Sequence, residues 1–336
     1  MSELPPVDLV YTWVDGSNPL FAAKVEKYRR EEAVRTGKAP PPYCTGAQRF
    51  RDLDNLRYSL RSAEQNAPWF RRVIIVTNGQ VPRWLRKESR AEIVRHEEIF
   101  ENLDALPTFN ASAIESRLHR IPGLGRYFVF MNDDFFFSRP TPKEYFFGAN
   151  GRPRLMLLPT VIEPGFGKGD CWEKTLFNVA ENLNKRFGFR LWMQGTHGPA
   201  CFDRELLEKI YLLWPAEMER TSRNRFRDES DMQLHALYMN AAAALDEEEQ
   251  KSETDRHERA IMPEKELRIV SVGERGKGWR ENLLEVVVNP PQLLCLNDLG
   301  PNEPTPGELA EIAEIEKAHK TFLEKMFPKP SSFEQV

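Results

Sequence analysis

The sequence is poor in cysteine and has no long apolar run. Four cysteines occur in 336 residues, Cys44, Cys171, Cys201 and Cys295, far apart and without CxxC or other metal-type spacing. That argues against a disulfide scaffold or a zinc site, and reduced, buried thiols of a cytosolic protein are expected. No stretch approaches the ~18–20 uninterrupted apolar residues of a membrane-spanning helix. The opening Met1 to Pro6 has neither the basic nor the apolar region of a secretory signal. The expected location is therefore the cytoplasm, with the inner face of the cell membrane as a second station. Basic residues do not prevail either: 47 Lys and Arg stand against 51 Asp and Glu, a net charge of −4, which argues against a nucleic-acid partner. No internal repeat is present. The length suffices for a large core, as one big α/β domain or two smaller ones.

What the chain does have is short, dense apolar runs ending in polar tips. Residues 7–14 read as a strand closed by Asp15-Gly16-Ser17-Asn18-Pro19. Residues 73–77 read as a second strand ended by Asn78-Gly79, Ile93-Val94 as a short third, and Tyr127-Phe128-Val129-Phe130-Met131 as a buried strand ended by Asn132-Asp133-Asp134. Between them, 20–36 and 52–66 carry helical patterns, the latter with Leu53, Leu56, Leu60 and Ala63. Alternating strands and helices predict a parallel sheet, which binds ligands at the carboxyl ends of its strands. The three polar tips are then expected at one edge.

Further on, Leu155 to Leu158 is apolar and 164–170 is a Gly-rich loop. A helix is expected over Cys171 to Phe187, irregular chain over Gln194 to Pro199, and a helix capped by Asp203 running through Trp214. Another is expected over about 229–245, followed by a solvated charge run over 246–259. Glu285 to Val288 suggests a returning strand, 301–306 a linker and 307–326 a final amphipathic helix. In that helix and just beyond it, Lys317, Lys320, Lys325 and Lys329 near Phe322 and Phe327 read as a lipid contact or as the solvated face of a packed helix.

The chemistry concentrates in a few places. Asp133-Asp134, with Asn132 before and Phe135-Phe136-Phe137 after, is a pair of acids wedged between apolar runs. Buried carboxylates need cations, and a divalent ion bridging a pyrophosphate would supply the charge. A turn or cap is the plainer reading. Glu115 and His119 fall i, i+4 within an expected helix over 111–120, either a site or a surface pair. His197 stands in a Gly- and Pro-flanked loop, and an imidazole titrating near ~6.5 suits proton transfer. The cluster 223–229 holds three arginines in five positions, and Arg57 and Arg61 are i, i+4. Each set is a candidate phosphate clamp or a solvated face. Tyr11 and Trp13 either stack a base or fill the core. Together these features suggest phosphate chemistry on a nucleotide-activated substrate.

The strings Tyr11-Thr-Trp-Val-Asp-Gly16, Arg57-Tyr-Ser-Leu-Arg-Ser62, Asn66-Ala-Pro-Trp69, Ile75-Val-Thr-Asn-Gly-Gln80, Leu106-Pro-Thr-Phe109, Ala113-Ile-Glu-Ser116, His119-Arg-Ile121 and Asn132-Asp-Asp134 resemble the first two blocks of the Stealth family. His197-Gly-Pro199 with Glu229-Ser-Asp-Met-Gln233 resembles the third block. Cys295-Leu-Asn-Asp298, Met326-Phe-Pro328 and Ser332-Phe-Glu334 resemble the fourth. The family comprises sugar-1-phosphate transferases, among them bacterial capsular and exopolysaccharide phosphotransferases and the catalytic part of the Golgi GlcNAc-1-phosphotransferase. The resemblance implies an α/β fold, a Rossmann-like, glycosyltransferase-A-related core with a mainly parallel sheet plus a helical subdomain. It implies a UDP-sugar donor (UDP-GlcNAc or a related hexosamine), a glycan or sugar acceptor, and Mg2+ or Mn2+. It places catalytic roles on Glu115, Asp134, His197 and Arg227, metal binding on Asp134 and then Asp133, and donor binding on Tyr11, Trp13, Asp15, Gly16, Arg57, Asn78, Gly79 and Asn132.

The reaction expected is attack of an acceptor hydroxyl on the β-phosphorus with loss of UMP. A glycosyltransferase releasing UDP and a non-catalytic nucleotide-sugar-binding protein are the alternatives. The division expected is 1–163 for the donor-binding half, 164–284 for a helical subdomain carrying His197 and Arg227, and 285–336 for a strand and helix returning to the core, one catalytic domain overall. The large spacer modules of the Golgi enzyme are absent between the second and third blocks, so the chain resembles the compact bacterial members. Peripheral contact with the membrane or the capsule assembly machinery is a further expectation.

Overall fold

Strands buried on both faces must be apolar on both faces, and the runs at 7–12, 73–77 and 127–132 meet that demand. The computed structural model describes residues 4–162, 169–274, 276, 278–301 and 305–335. In chain order the first half contains β1 (Val7–Thr12), α1 (Pro19–Thr36), α2 (Pro42–Thr45), α3 (Asn55–Asn66), β2 (Val73–Thr77) and β3 (Ala91–Arg95). It continues through α4 (His96–Ile99), α5 (Ala111–Glu115), β4 (Tyr127–Asn132), β5 (Phe135–Phe137) and β6 (Leu155–Ile162). Then come α6 (Cys171–Phe187), β7 (Trp192–Gly195), β8 (Ala200–Asp203), α7 (Arg204–Tyr211), α8 (Pro215–Arg223) and α9 (Leu234–Glu248). The last elements are β9 (Arg259–Ile261), β10 (Leu267–Val272), α10 (Trp279–Val288), β11 (Leu293–Asp298) and α11 (Glu308–Met326).

The central sheet has the order β3-β2-β1-β4-β8. Its first four strands are parallel, in the Rossmann-like order, with Tyr11 beside both Ile75 and Met131, while β8 runs antiparallel to β4. At the amino edge the fully buried Asp8 is neutralised by the Arg71 guanidinium at 2.7 and 2.6 Å and by the Gly125 amide at 2.8 Å. Two three-stranded sheets flank it, β10-β11-β5 and β7-β6-β9. Helix α3 is fixed to β5 through Ser59 Oγ on the Phe135 carbonyl (2.5 Å) and Asn66 Nδ2 on the Phe137 carbonyl (2.6 Å). Helix α9 is buried on nearly every side, and a helix apolar all round belongs inside a core. The Tyr238 hydroxyl on α9 accepts the Asp203 amide at 3.0 Å, tying it to the end of β8.

Several expectations change. Residues 285–288 end helix α10 instead of forming a strand, because Trp279, Leu283 and Val286 recur at helical spacing and are the buried ones. The expected boundary at 284/285 therefore falls inside a helix, and the returning strand is β11. β8, from the segment expected to be a helical subdomain, is the fifth strand of the central sheet. Gln194 and Gly195 belong to β7. The helix expected over 111–120 stops at Glu115 and resumes as a 3-10 turn, Leu118–Arg120. Pro215 splits the helix expected through Trp214 from the next one, and α9 begins at Leu234, not 229.

The charge run is only partly solvated. Asp246 is buried and takes His257 Nδ1 at 2.7 Å and Lys251 Nζ at 2.7 Å. Phe322 and Phe327 are buried, the latter stacked on Phe136, so α11 packs on the core. Residues 163–168 and 302–304, within the Gly-rich loop and the linker, lie outside the described residues. Among the described residues no helix is long and apolar enough to cross a membrane.

Candidate active site

The chain leaves β1 toward β2 and β3 on one side and returns as β4 on the other, so the β1/β4 seam is the switch point of the sheet, where a crevice opens outside the carboxyl ends. The tips do gather there. Gln80, after β2, closes a two-way link with Asp15, after β1: its Oε1 accepts the Asp15 amide at 2.9 Å and its Nε2 donates to the Asp15 carbonyl at 3.0 Å. A cleft of about 340 Å³ opens beside this link, lined among others by Trp13, Asp15, Asp52, Gln80, Arg83 and Trp84. That volume suits a small ligand.

The reversal of β8 brings in the imidazole. Ala200 pairs with Phe130, near the carboxyl end of β4, so the turn that precedes β8, residues 196–199, arrives at the same edge. His197 meets the edge of Phe135 at 5.4 Å and of Trp172 at 6.4 Å between ring centroids. Burial, then the charges of Arg227 and Arg49, push it down to about 4. A neutral imidazole at physiological pH is able to accept a proton.

Glu115 closes α5, whose first turn is capped by Asn110 Oδ1 accepting the Ser112 amide at 3.1 Å. It is only 8% exposed. Burial pushes its carboxyl up to about 7, with Arg227 opposing the rise and Asp231 adding to it. Asp134, in the turn between β4 and β5, is also pushed up to about 7 by desolvation, moderated by its own backbone, by Cys295 and by Arg227. Cys295 Sγ donates to its Oδ2 at 3.8 Å, while Oδ1 is buried without a hydrogen-bond partner. Asp133 is raised well above the carboxylate range by burial and by Asp134 and Asp52. Arg227 is thus the common neighbour: its charge acts on Glu115, Asp134 and His197, which come from three separate elements.

The remaining candidates divide between the core, the cleft and the strand tips. Tyr11 is fully buried with its hydroxyl 3.0 Å from Ser59 Oγ, so it fills the core, whereas Trp13 lines the cleft. At Gly16 a Cβ would lie 2.2 Å from the Phe50 carbonyl oxygen; the glycine permits a close backbone approach and presents no side chain to a ligand. Arg57 and Arg61 are both held by Glu334, at 2.6 Å and at 2.7 and 2.8 Å. His119 packs edge-on against Tyr211. Asn78 Oδ1 accepts the Gln80 amide (3.3 Å), Gly79 turns with φ +95°, and Asn132 Oδ1 accepts from Thr12 (3.4 Å), so all three shape the tips. Sequence reasoning missed Arg49, Asp52, Gln80, Arg83, Trp84 and Asp231. Of these, Gln80 and Asp231 lie inside strings that carry the family resemblance, and Asp52, two residues before Asp54 and ahead of a helix, forms an acidic pair.

Three segments match models of one family: residues 5–33 match Stealth conserved region 1, 49–155 conserved region 2 and 196–240 conserved region 3. The chain belongs to the Stealth family. An exopolysaccharide phosphotransferase of Streptomyces coelicolor, SCO6023, is 40% identical over 235 residues, covering 68% of this chain and 38% of that protein. The exopolysaccharide phosphotransferase of Nocardia farcinica is 30% identical over 335 residues, 98% of this chain and 61% of that protein. This Stealth chain therefore spans less than two thirds of the length of either relative. Among solved structures, the galactosyltransferase LgtC in complex with donor and acceptor sugar analogues superposes with a TM-score of 0.42 at 10% identity, covering 94% of this chain and 96% of that one.

Proposed function

We propose that this Stealth chain transfers a sugar 1-phosphate from a UDP-sugar, UDP-GlcNAc or a related hexosamine, to a hydroxyl of a glycan, with release of UMP. The observation that carries the reading is the convergence of Glu115, Asp134 and His197 on the charge of Arg227 at the sheet's switch point. The names of the exopolysaccharide phosphotransferase relatives support it. In this reading the nucleoside occupies the cleft lined by Trp13 and Trp84, and the diphosphate reaches from Asp15 toward Asp134 and Arg227.

The acceptor oxygen forms a bond to the β-phosphorus while the bond from that phosphorus to the bridging oxygen breaks. UMP departs with the electron pair, and the sugar keeps its phosphate in a new diester. His197 takes the acceptor's proton; Glu115 orients the hydroxyl or shares the proton. Arg227 offsets the charge on the transferring phosphoryl group, fixed in place before the reaction begins.

A divalent ion fits the acids at the β4 tip. Asp134 Oδ1 lacks a partner, and Asp133 and Asp134 are both raised by desolvation, so each would gain from a cation. Among the described residues no three His, Cys, Asp or Glu group closely enough to enclose a metal by themselves. That donor set suits Mg2+, which takes one or two carboxylates and completes its shell with phosphate oxygens and water. When bound, the ion would neutralise diphosphate charge; Asp134, then Asp133, would hold it.

The test is a product assay. Incubated with UDP-sugars, Mg2+ and a glycan acceptor, the protein is expected to release UMP. Release of UDP would replace this reading with glycosyl transfer, and nucleotide binding without either product would replace it with a non-catalytic receptor.

A further inference from the structure

Arg227 lies in an irregular segment, 224–231, between α8 and α9, so neither a helix nor a sheet fixes it. Two buried side chains do. Asp231, fully buried, accepts the Asn224 side-chain amide on Oδ1 at 2.8 Å, and on Oδ2 the Asn110 side-chain amide at 2.8 Å and the Asp228 backbone amide at 3.0 Å. Asn110 is also fully buried, and its Nδ2 additionally donates to the carbonyls of Asn224 (3.1 Å) and Phe226 (3.3 Å). Its other atom, Oδ1, is the cap of α5. One side chain therefore holds both the Arg227 segment and the start of the helix that ends in Glu115.

Neighbouring contacts repeat the stitch. The Phe109 amide donates to the Arg225 carbonyl at 2.7 Å, the Phe109 and Phe226 rings stack at 5.2 Å, and the Arg225 guanidinium donates to the Pro107 carbonyl at 2.9 Å. All three hydrogen bonds to the Asp231 carboxylate come from amides, and burial pushes it up to about 6. A carboxylate, which accepts on both oxygens, suits three amide donors. Arg227 lines the same small cavity as Asp231, together with Ser112, Cys171, Trp172 and Thr175, so the anchor stands beside the guanidinium.

We propose that Asp231 and Asn110 are positioning residues that clamp the Arg227 segment to the base of α5 and so fix the guanidinium relative to Glu115. The role deepens the phosphotransfer reading and rests on it for its chemical consequence, but the clamp itself is a statement about contacts. Three proteins are compared with the wild type: Asp231→Asn, Asp231→Ala and Arg227→Ala. Hydrogen exchange by mass spectrometry reads the clamp. The Asp231 variants are expected to exchange faster both at 224–232 and at 107–112, with the sheet protected as before; if Asp231→Ala does not fold, Asp231→Asn, which loses one acceptor but keeps the shape, gives the same reading.

Calorimetry with UDP and UMP reads the guanidinium. The preference for UDP over UMP should shrink in the Asp231 variants as it does in Arg227→Ala, while UMP affinity stays. In the product assay kcat should fall on the order of 10²-fold, the scale of a small misplacement, with KM nearly unchanged. Exchange confined to 228–232 with 107–112 unaffected, or an unaltered UDP preference alongside a lost one in Arg227→Ala, would overturn the clamp. A wild type that binds neither nucleotide would refute the UDP-sugar reading instead, and the exchange result would still decide the clamp.

Discussion

The cleft beside β1 and the pocket beside Arg227 differ in both size and origin. The first holds about 340 Å³ and draws its lining from residues between 13 and 84; the second has room for about 10 Å³ and draws on residues from 112 to 231. The cleft is ready to admit a ligand as it stands. The pocket is far smaller, with the half-buried Arg227 beside the buried Asp231, and charges partly withdrawn from water act more strongly on one another. Under the proposed function, recognition and chemistry fall to different parts of the molecule: sheet tips linked by Gln80 and Asp15 form one wall, and segments held by buried side-chain hydrogen bonds form the other. Substitutions that separate binding from turnover should map onto that division.

The largest effect is expected at the closed pocket. Arg227→Ala should lower kcat on the order of 10³-fold or more, the scale of arginines that serve transferring phosphoryl groups, without weakening UMP binding in the cleft. His197→Ala should lower kcat by roughly 10²–10⁴-fold if the imidazole takes the proton; a loss below tenfold in a folded protein would move that role to Glu115. Steady-state kinetics beside UMP calorimetry measures both.

The cleft should answer in the opposite way. Trp84→Ala is expected to weaken UMP binding by about tenfold, the scale of one base–aromatic contact, with kcat at saturating donor largely kept. Equal losses of kcat from both regions would erase the distinction drawn between them.

The smallest effect concerns stability. Burial raises Glu115 from an ordinary 4.5 to about 7, so between those values the folded chain binds more protons at this site than the unfolded chain. Stability from this group must then fall as pH rises through that window. Glu115→Gln should raise Tm by a few degrees at pH 7.5 and change it little at pH 4.5, as thermal unfolding across pH would register.

Much of the first region was legible because a buried parallel strand leaves an unbroken apolar run, and the tips of β1, β2 and β4 stand directly after such runs. Helix α6 was read to its ends because the signals agree: Asp170 caps it, Glu173 completes the capping box, and one apolar stripe runs along it. Residues 285–288 were misread because three consecutive valines suggest a strand, while the buried positions follow a helical period from Trp279. The pairing of Arg57 was illegible for a different reason: its partner, Glu334, lies 277 positions away. Nor did any local pattern mark Arg49, and Asp231 stood in a family string without a role, because its partner Asn110 lies 121 positions away. Glu115 and His197 were visible as residue types, yet their dryness, which sets their protons, came only with the packed chain.

The antiparallel course of β8 has a consequence for the order in which this protein comes into being. Emerging from a ribosome, the chain completes the β1, β2 and β4 tips before residue 135, but the imidazole follows some sixty positions later and the guanidinium thirty after that. Glu334 and Gln335, which brace Leu85 and Trp84 through a strand bridge and a backbone hydrogen bond of 2.9 Å, follow roughly a hundred positions later still. A growing chain therefore carries the walls of a cleft long before it carries His197 and Arg227, and under the proposed function nascent or prematurely ended copies would be inert toward the donor.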